Sequence, residues 1–196
     1  MQFGYTILYV DDVASTLDFY GKAFGLATRY THESGSYGEL ETGATALAFV
    51  SHTLLRQIGK TPQAPELGKP TSEIALVTDD VASTLDFYGK AFGLPTRFLH
   101  DSGAYGELET GATALAFVSH TLLRQIGKTP QAPVLDAPTG EIALVTNDVA
   151  GAVRRAVDAG ARLVQEAKDM PWGQTIAYVG DLNGFLVELC TAVTHP

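Results

Sequence analysis

Apolar and polar residues along this chain follow two periods that take turns. Residues 5–10 (YTILYV) are a β-branched and aromatic run of strand character. Asp11 and Asp12 then offer a helix N-cap. In VASTLDFYGKAFG, Val13, Leu17, Tyr20 and Phe24 recur at helical spacing on one face, and Gly25 is placed to end the helix. ATRYTHES, YGELETG and ALAFVS follow as three short strands between Gly and Ser turns, then SHTLLRQIG as a short helix capped by Ser51. KTPQAPELGKP (60–70) is a Pro/Gly linker.

The same grammar returns twice. Residues 11–65 reappear as 79–133, an offset of 68, with five changes: Ala27/Pro95, Tyr30/Phe98, Thr31/Leu99, Glu33/Asp101 and Ser36/Ala104. All five fall in one predicted hairpin. Old repeats drift until only their core pattern survives, so this copy is recent or built. A third stretch uses different words: EIALVT is a strand, NDVAGAVRRAVDAG a helix, and RLVQEAKDM, QTIAYVGD and FLVELC three more strands, with Asp-Leu-Asn-Gly as the last turn. The pattern predicts an α+β chain of three βαβββ modules, 1–70, 71–138 and 139–196. SEIALVTDD (72–80) resembles GEIALVTND (140–148) more than it resembles YTILYVDD, so the second copy opens with the strand type of the last module.

Composition narrows the function classes. Thirteen basic against 22 acidic residues give a net charge of −9, which argues against nucleic acid and permits a cationic small ligand. No apolar run approaches the ~20 residues of a membrane span, and MQFGYTILYV lacks the basic start of a signal peptide. The one cysteine, Cys190, fits a reducing cytoplasm. No P-loop, dinucleotide fingerprint or Ser/His/Asp set is present.

VDDVASTLDFYGKAFGL, the EIALVTNDV strand-to-helix step and PWGQTIAYVGDLNGFLVEL (171–189) together resemble the vicinal oxygen chelate superfamily, the glyoxalase, bleomycin-resistance and extradiol dioxygenase group. The resemblance implies that two modules pair edge to edge into a curved, mixed-sheet half-barrel of eight strands with the ligand in its cup. Strand alternation then assigns faces. Tyr5, Ile7 and Tyr9 turn inward, as do Ala46, Ala48 and Val50; Glu141, Ala143 and Val145; and Leu186, Glu188 and Cys190. Tyr37, Glu39 and Glu41 are assigned to the same side, whereas Leu40, Leu47, Phe49, Ile142, Leu144, Val187 and Leu189 face the helices.

Metal-dependent members of the group carry His or Glu on the first and last strand of each module. Here those positions are Tyr5, Ala48, Ala116, Glu141 and Glu188, and Glu73 opens the second copy. A cup of modules one and three offers Tyr5, Glu141 and Glu188; one of modules two and three offers Glu73, Glu141 and Glu188. Neither is the glyoxalase set. His32, His52, His100, His120 and His195 fall in hairpins, module exits and the tail, where His52 and His120 are expected to cap or to be solvated. No cofactor is expected, and a divalent metal on Glu73, Glu141 and Glu188 is the candidate exception. Two carboxylates facing one apolar-walled cup resist joint ionisation, which raises the pKa of one. Trp172 is expected as a stacking wall at the cup's lip, and Cys190 as an inert buried thiol.

The expected function is a non-catalytic small-molecule binder similar to bleomycin-resistance proteins, with Tyr5, Tyr9, Glu73, Glu141, Glu188 and Trp172 against a cationic or aromatic ligand. The competing readings are a metal-dependent lyase or dioxygenase and a duplication product with no selected function. A cup needs two modules and the chain has three. A homodimer is therefore expected, with the unpaired modules completing cups between chains.

Overall fold

The computed structural model describes residues 2–57, 60, 62, 75–111 and 114–192. Elements run β1 (Gln2–Val10), α1 (Val13–Phe24), β2 (Thr28–Thr31), β3 (Tyr37–Leu40), β4 (Ala46–Ser51) and α2 (His52–Gln57). The next group is β5 (Ala75–Thr78), α3 (Val81–Phe92), β6 (Thr96–Leu99), β7 (Tyr105–Leu108), β8 (Leu115–Ser119) and α4 (His120–Gln125). The last is β9 (Gly140–Val145), α5 (Val149–Asp158), β10 (Arg162–Asp169), β11 (Thr175–Gly180) and β12 (Leu186–Cys190). The fold is α+β with mixed sheets. No helix among the described residues is long and apolar enough to cross a membrane.

Local chemistry sets the boundaries of the two copied helices. The Asp12 carboxylate accepts from the Ser15 amide, and Asp80 accepts from Ser83. Gly25 and Gly93 close the helices at φ of 69° and 67°, where a side chain would be strained. Gly38 and Gly106 let each helix approach its sheet: a Cβ at either would lie 2.7 Å from Leu17 or Leu85.

The sequence leaves two partners open for the last strand group, and the structure selects the first. β1 pairs antiparallel with β9, giving an eight-stranded sheet in the order β10-β11-β12-β9-β1-β4-β3-β2. The second copy forms its own four-stranded sheet, β5-β8-β7-β6. It is nevertheless tied to the rest through its helix. α3 and α5 share one core: Leu85, Tyr88, Ala91 and Phe92 with Ala152, Val153 and Ala156, between Phe117 and Leu108 on one sheet and Ile142, Leu144, Val187 and Leu189 on the other. Tyr88 donates to Asp181 at 3.0 Å, and Asn183 reaches Thr78 and Thr84, so the Asp-Leu-Asn-Gly turn is pinned to the second copy. This back-to-back layer is absent from the expectation, which left the second copy needing a partner at its sheet edge. The helix-facing assignments hold, since Leu40 and Phe49 pack with Val13 and Leu17 under α1.

Candidate functional site

The opposite face of the eight-stranded sheet carries the polar chemistry. Tyr178, Glu188, Ala143 and Tyr5 stand in one row across β11, β12, β9 and β1. Leu186, Glu141, Ile7, Ala48 and Glu39 form the next row, reaching β3. Alternation puts tyrosines and carboxylates on this side of otherwise apolar strands. We call it the tyrosine face.

Each carboxylate is held by a tyrosine. Tyr9 donates to Glu141 Oε2 at 2.6 Å, Tyr178 to Glu188 at 2.7 Å, and Tyr37 to Glu39 at 2.6 Å. Lys60 completes the cluster. Its Nζ lies 2.5 Å from Glu141 Oε2, 3.4 Å from the Tyr9 hydroxyl and 3.8 Å from the centroid of the Tyr178 ring. The ammonium thus sits on one carboxylate and over one aromatic face, with both members of the ion pair largely buried. Among the described residues, two segments lie over the face. Leu54 and Leu55 of α2 lie over β1 and β4, and Leu135 lies against Tyr178 and Leu186. Gly180 makes room for Leu135, whose side chain would collide with any Cβ there.

Burial drives the ionisation pattern. The Glu188 carboxyl is pushed up to about 7, first by burial and then by the Glu141 charge, with Lys60 opposing. The expected rise of one carboxylate of the pair therefore falls on Glu188. Burial and the same carboxylates push the hydroxyls of Tyr9 and Tyr178 well above their ordinary value, so both remain donors. Burial and Glu188 also push the Cys190 thiol upward, which suits an inert side chain rather than a nucleophile.

One prediction follows for Glu188. In the folded chain it holds a proton that the unfolded chain releases near 4.5, so its contribution to stability falls as pH rises from about 4.5 to about 7 and is flat above. Glu188→Gln removes that slope. Urea unfolding of both proteins across this window checks it: the stability difference should shift against the wild type as pH rises, and parallel curves would contradict the assignment.

Tyr5, Tyr9, Glu141 and Glu188 stand on one face of the eight-stranded sheet. Glu73 and His195 lie outside the described residues. Trp172 is half-exposed on the turn between β10 and β11, and its indole donates to Gln174 at 2.9 Å. Glu41 does not join the face: it follows β3, is exposed and forms a two-point pair with Arg29, at 3.0 and 2.5 Å. His52 and His120 are not solvated as expected. Both are buried, with Nδ1 against Asp11 and Asp79 at 2.7 and 2.8 Å. Lys60 and Tyr178 belong to this candidate site and were not anticipated from the sequence. Tyr178 was legible as the same-face neighbour of Glu188 across a hairpin, whereas nothing in KTPQAPELGKP marks its first residue.

Among the described residues the donor set of this face does not fit a divalent ion of the glyoxalase kind. Among the described residues no three His, Cys, Asp or Glu side chains converge. Ala48 offers no ligand, and Glu141 already accepts from Lys60 and Tyr9.

A mixed α+β sheet bearing buried, tyrosine-held carboxylates on one face is the class that this geometry defines. The family model described as the Glyoxalase/Bleomycin resistance protein/Dioxygenase superfamily matches residues 72–189, and the chain belongs to that superfamily. The matched span is contiguous and covers the second copy with the last strand group, whereas in space the first copy pairs with that group. A glyoxalase I variant from Zea mays is similar in structure with a TM-score of 0.66 at 15% identity, over 97% of this chain and 92% of that one. A glyoxalase-related enzyme from Fulvimarina pelagi gives 0.49 at 21% identity, over 64% and 91%. A glyoxalase/bleomycin resistance protein/dioxygenase family enzyme from Burkholderia phytofirmans gives 0.47 at 18% identity, over 63% and 100%. These likenesses concern the fold. No curated protein matches the sequence significantly.

Proposed function

We propose that the chain binds a small organic cation without turning it over, in a cup formed by modules 1–70 and 139–196, after the manner of the bleomycin-resistance branch of its superfamily. The observation that carries this reading is the seat of Lys60. A face that holds an ammonium 2.5 Å from Glu141 and 3.8 Å from the centre of the Tyr178 ring has the chemistry of an organic-cation site. Glu188, on the adjacent strand, supplies a second carboxylate, and Tyr5 and Trp172 are assigned to the ligand's aromatic part. Lys60 is the chain's own tenant, and an external cation enters by displacing it.

Chemical rescue tests this reading. Lys60→Ala removes the ammonium and its stem beyond Cβ, and n-propylammonium restores both. The amine should raise the melting temperature of Lys60→Ala well beyond its effect on the wild type, and should do nothing for Lys60→Ala/Glu141→Gln. Equal shifts in all three proteins would end the proposal, as would calorimetry showing no heat with any cationic aromatic compound at millimolar levels. Stoichiometric Ni, Zn, Mn or Fe in the purified protein, lost in Glu188→Ala, would replace it with a metal-dependent lyase or dioxygenase.

A further inference from the structure

The copied segment contains its own control experiment. α1 and α3 have the same twelve residues, VASTLDFYGKAF, and the same Asp and Gly caps. Their surroundings differ. Phe87 and Phe92 of α3 are 3% and 2% exposed, whereas their twins Phe19 and Phe24 of α1 are 56% and 62% exposed. Tyr88 and Ala91 are fully buried, but Tyr20 is half-buried and Ala23 exposed. Leu76, Leu94 and Leu115 are buried as well, while their twins Leu8, Leu26 and Leu47 are only half-covered. One face, built twice, is sealed by α5 in one copy and bare in the other.

We infer that the bare α1 face is an interface, and that its occupant is the same face of a second copy of this chain, related by a twofold axis. Three observations select that occupant. The face is competent to dock, because its twin does so within the chain. The charged flank does not obstruct docking: the Asp86–Lys90 pair stays about two-thirds exposed beside the docked α3, and the identical Asp18–Lys22 pair lies beside α1. Finally, the surface complementary to this face, on α5, is already taken. An α1 that displaced α3 from α5 of another copy would bare one face for each it covered, with no net burial. Pairing α1 with α1 of a second chain buries both free faces and closes the assembly.

Phe19 and Phe24 each present on the order of 100 Å² to water. With Tyr20, Ala23 and the rims of Leu8 and Leu26, the seam falls below the standard size of specific interfaces, so the dimer is a weak, reversible one. The association expected from the odd module count thus runs through a helix face rather than a strand edge.

Sedimentation velocity over a concentration series, paired with thermal melts, tests this. The wild type should shift from monomer to dimer as concentration rises. Phe19→Glu and, separately, Phe24→Lys should abolish the dimer and leave the melting temperature measured at low concentration unchanged. Phe87→Glu, the same change in the covered twin, should instead lower the melting temperature. A wild type that stays monomeric at millimolar concentration overturns the proposal. So does a dimer that survives both α1 substitutions, or one lost only on placing proline in β5 at Val77. A variant that loses its dimer and melts lower by as much as Phe87→Glu would show the α1 face to be structural, and would equally overturn it.

Discussion

Phe87→Ala is expected to cost about 3–5 kcal/mol of unfolding free energy, whereas Phe19→Ala is expected to change it by less than about 0.5 kcal/mol. The two substitutions remove the same ring from the same twelve-residue sequence between the same caps. Helix propensity, side-chain entropy in the helix and neighbouring residues therefore cancel in the comparison. Only tertiary surroundings remain. Phe87 stacks edge-on against Tyr88 and Phe92 within the core shared by α3 and α5. Phe19 makes the same edge contacts with Tyr20 and Phe24, but on a surface open to water. Contacts within the helix are thus common to both, and the difference isolates burial against the partner layer. Urea unfolding at low protein concentration, where α1 faces of separate chains are apart, provides the measurement. Equal losses at the two positions would mean that the layer between α3 and α5 does not hold the second copy in place.

Much of this architecture was legible because it is dictated locally. Strand alternation placed Tyr5, Ile7, Tyr9, Glu141 and Glu188 on one face and Leu144, Val187 and Leu189 on the other, and the cores follow that division. Asp and Gly caps fixed both copied helices. What escaped was non-local. The helix pattern Val13, Leu17, Tyr20, Phe24 describes one apolar stripe, but the bulk of Phe19 and Ala23 beside it widens the stripe into a face that a second helix can cover. Sequence cannot say which of two identical faces receives the cover. Nor does a local pattern predict that Lys60 folds back onto β9, because that contact joins residues 81 apart. His52 and His120 were misread for a related reason: their burial is set by the return of α2 and α4 onto the sheets and by carboxylates 41 residues earlier.

The near-identity of the copies also explains how one family signature fits two spatial arrangements. The family model spans 72–189, yet β9 pairs with β1. Residues 11–65 and 79–133 offer almost the same helix and hairpins to the last strand group. The strands that would meet β9 differ, however: β1 carries Tyr5 and Tyr9, and Tyr9 bonds Glu141. At the equivalent position β5 has Val77, which cannot make that bond. Glu141 thereby links the choice of partner to the chemistry of the site.

Lys60→Met is expected to destabilise the chain by about 3–5 kcal/mol, because it strands a carboxylate inside the fold. Glu141 is about 5% exposed and its Oε2 takes both the Lys60 ammonium and the Tyr9 hydroxyl. With the ammonium gone, one hydroxyl must balance a buried negative charge. The reverse substitution is milder. Glu141→Gln leaves an amide that still accepts from Tyr9, and the flexible Lys60 stem lifts its ammonium toward water. The double variant Lys60→Met/Glu141→Gln should accordingly recover part of the loss, with a coupling energy of about 2–3 kcal/mol between the two sites. Urea denaturation of the four proteins completes the cycle. Additive losses would show that Lys60 and Glu141 do not act as a pair, and would remove the observation on which the organic-cation reading rests.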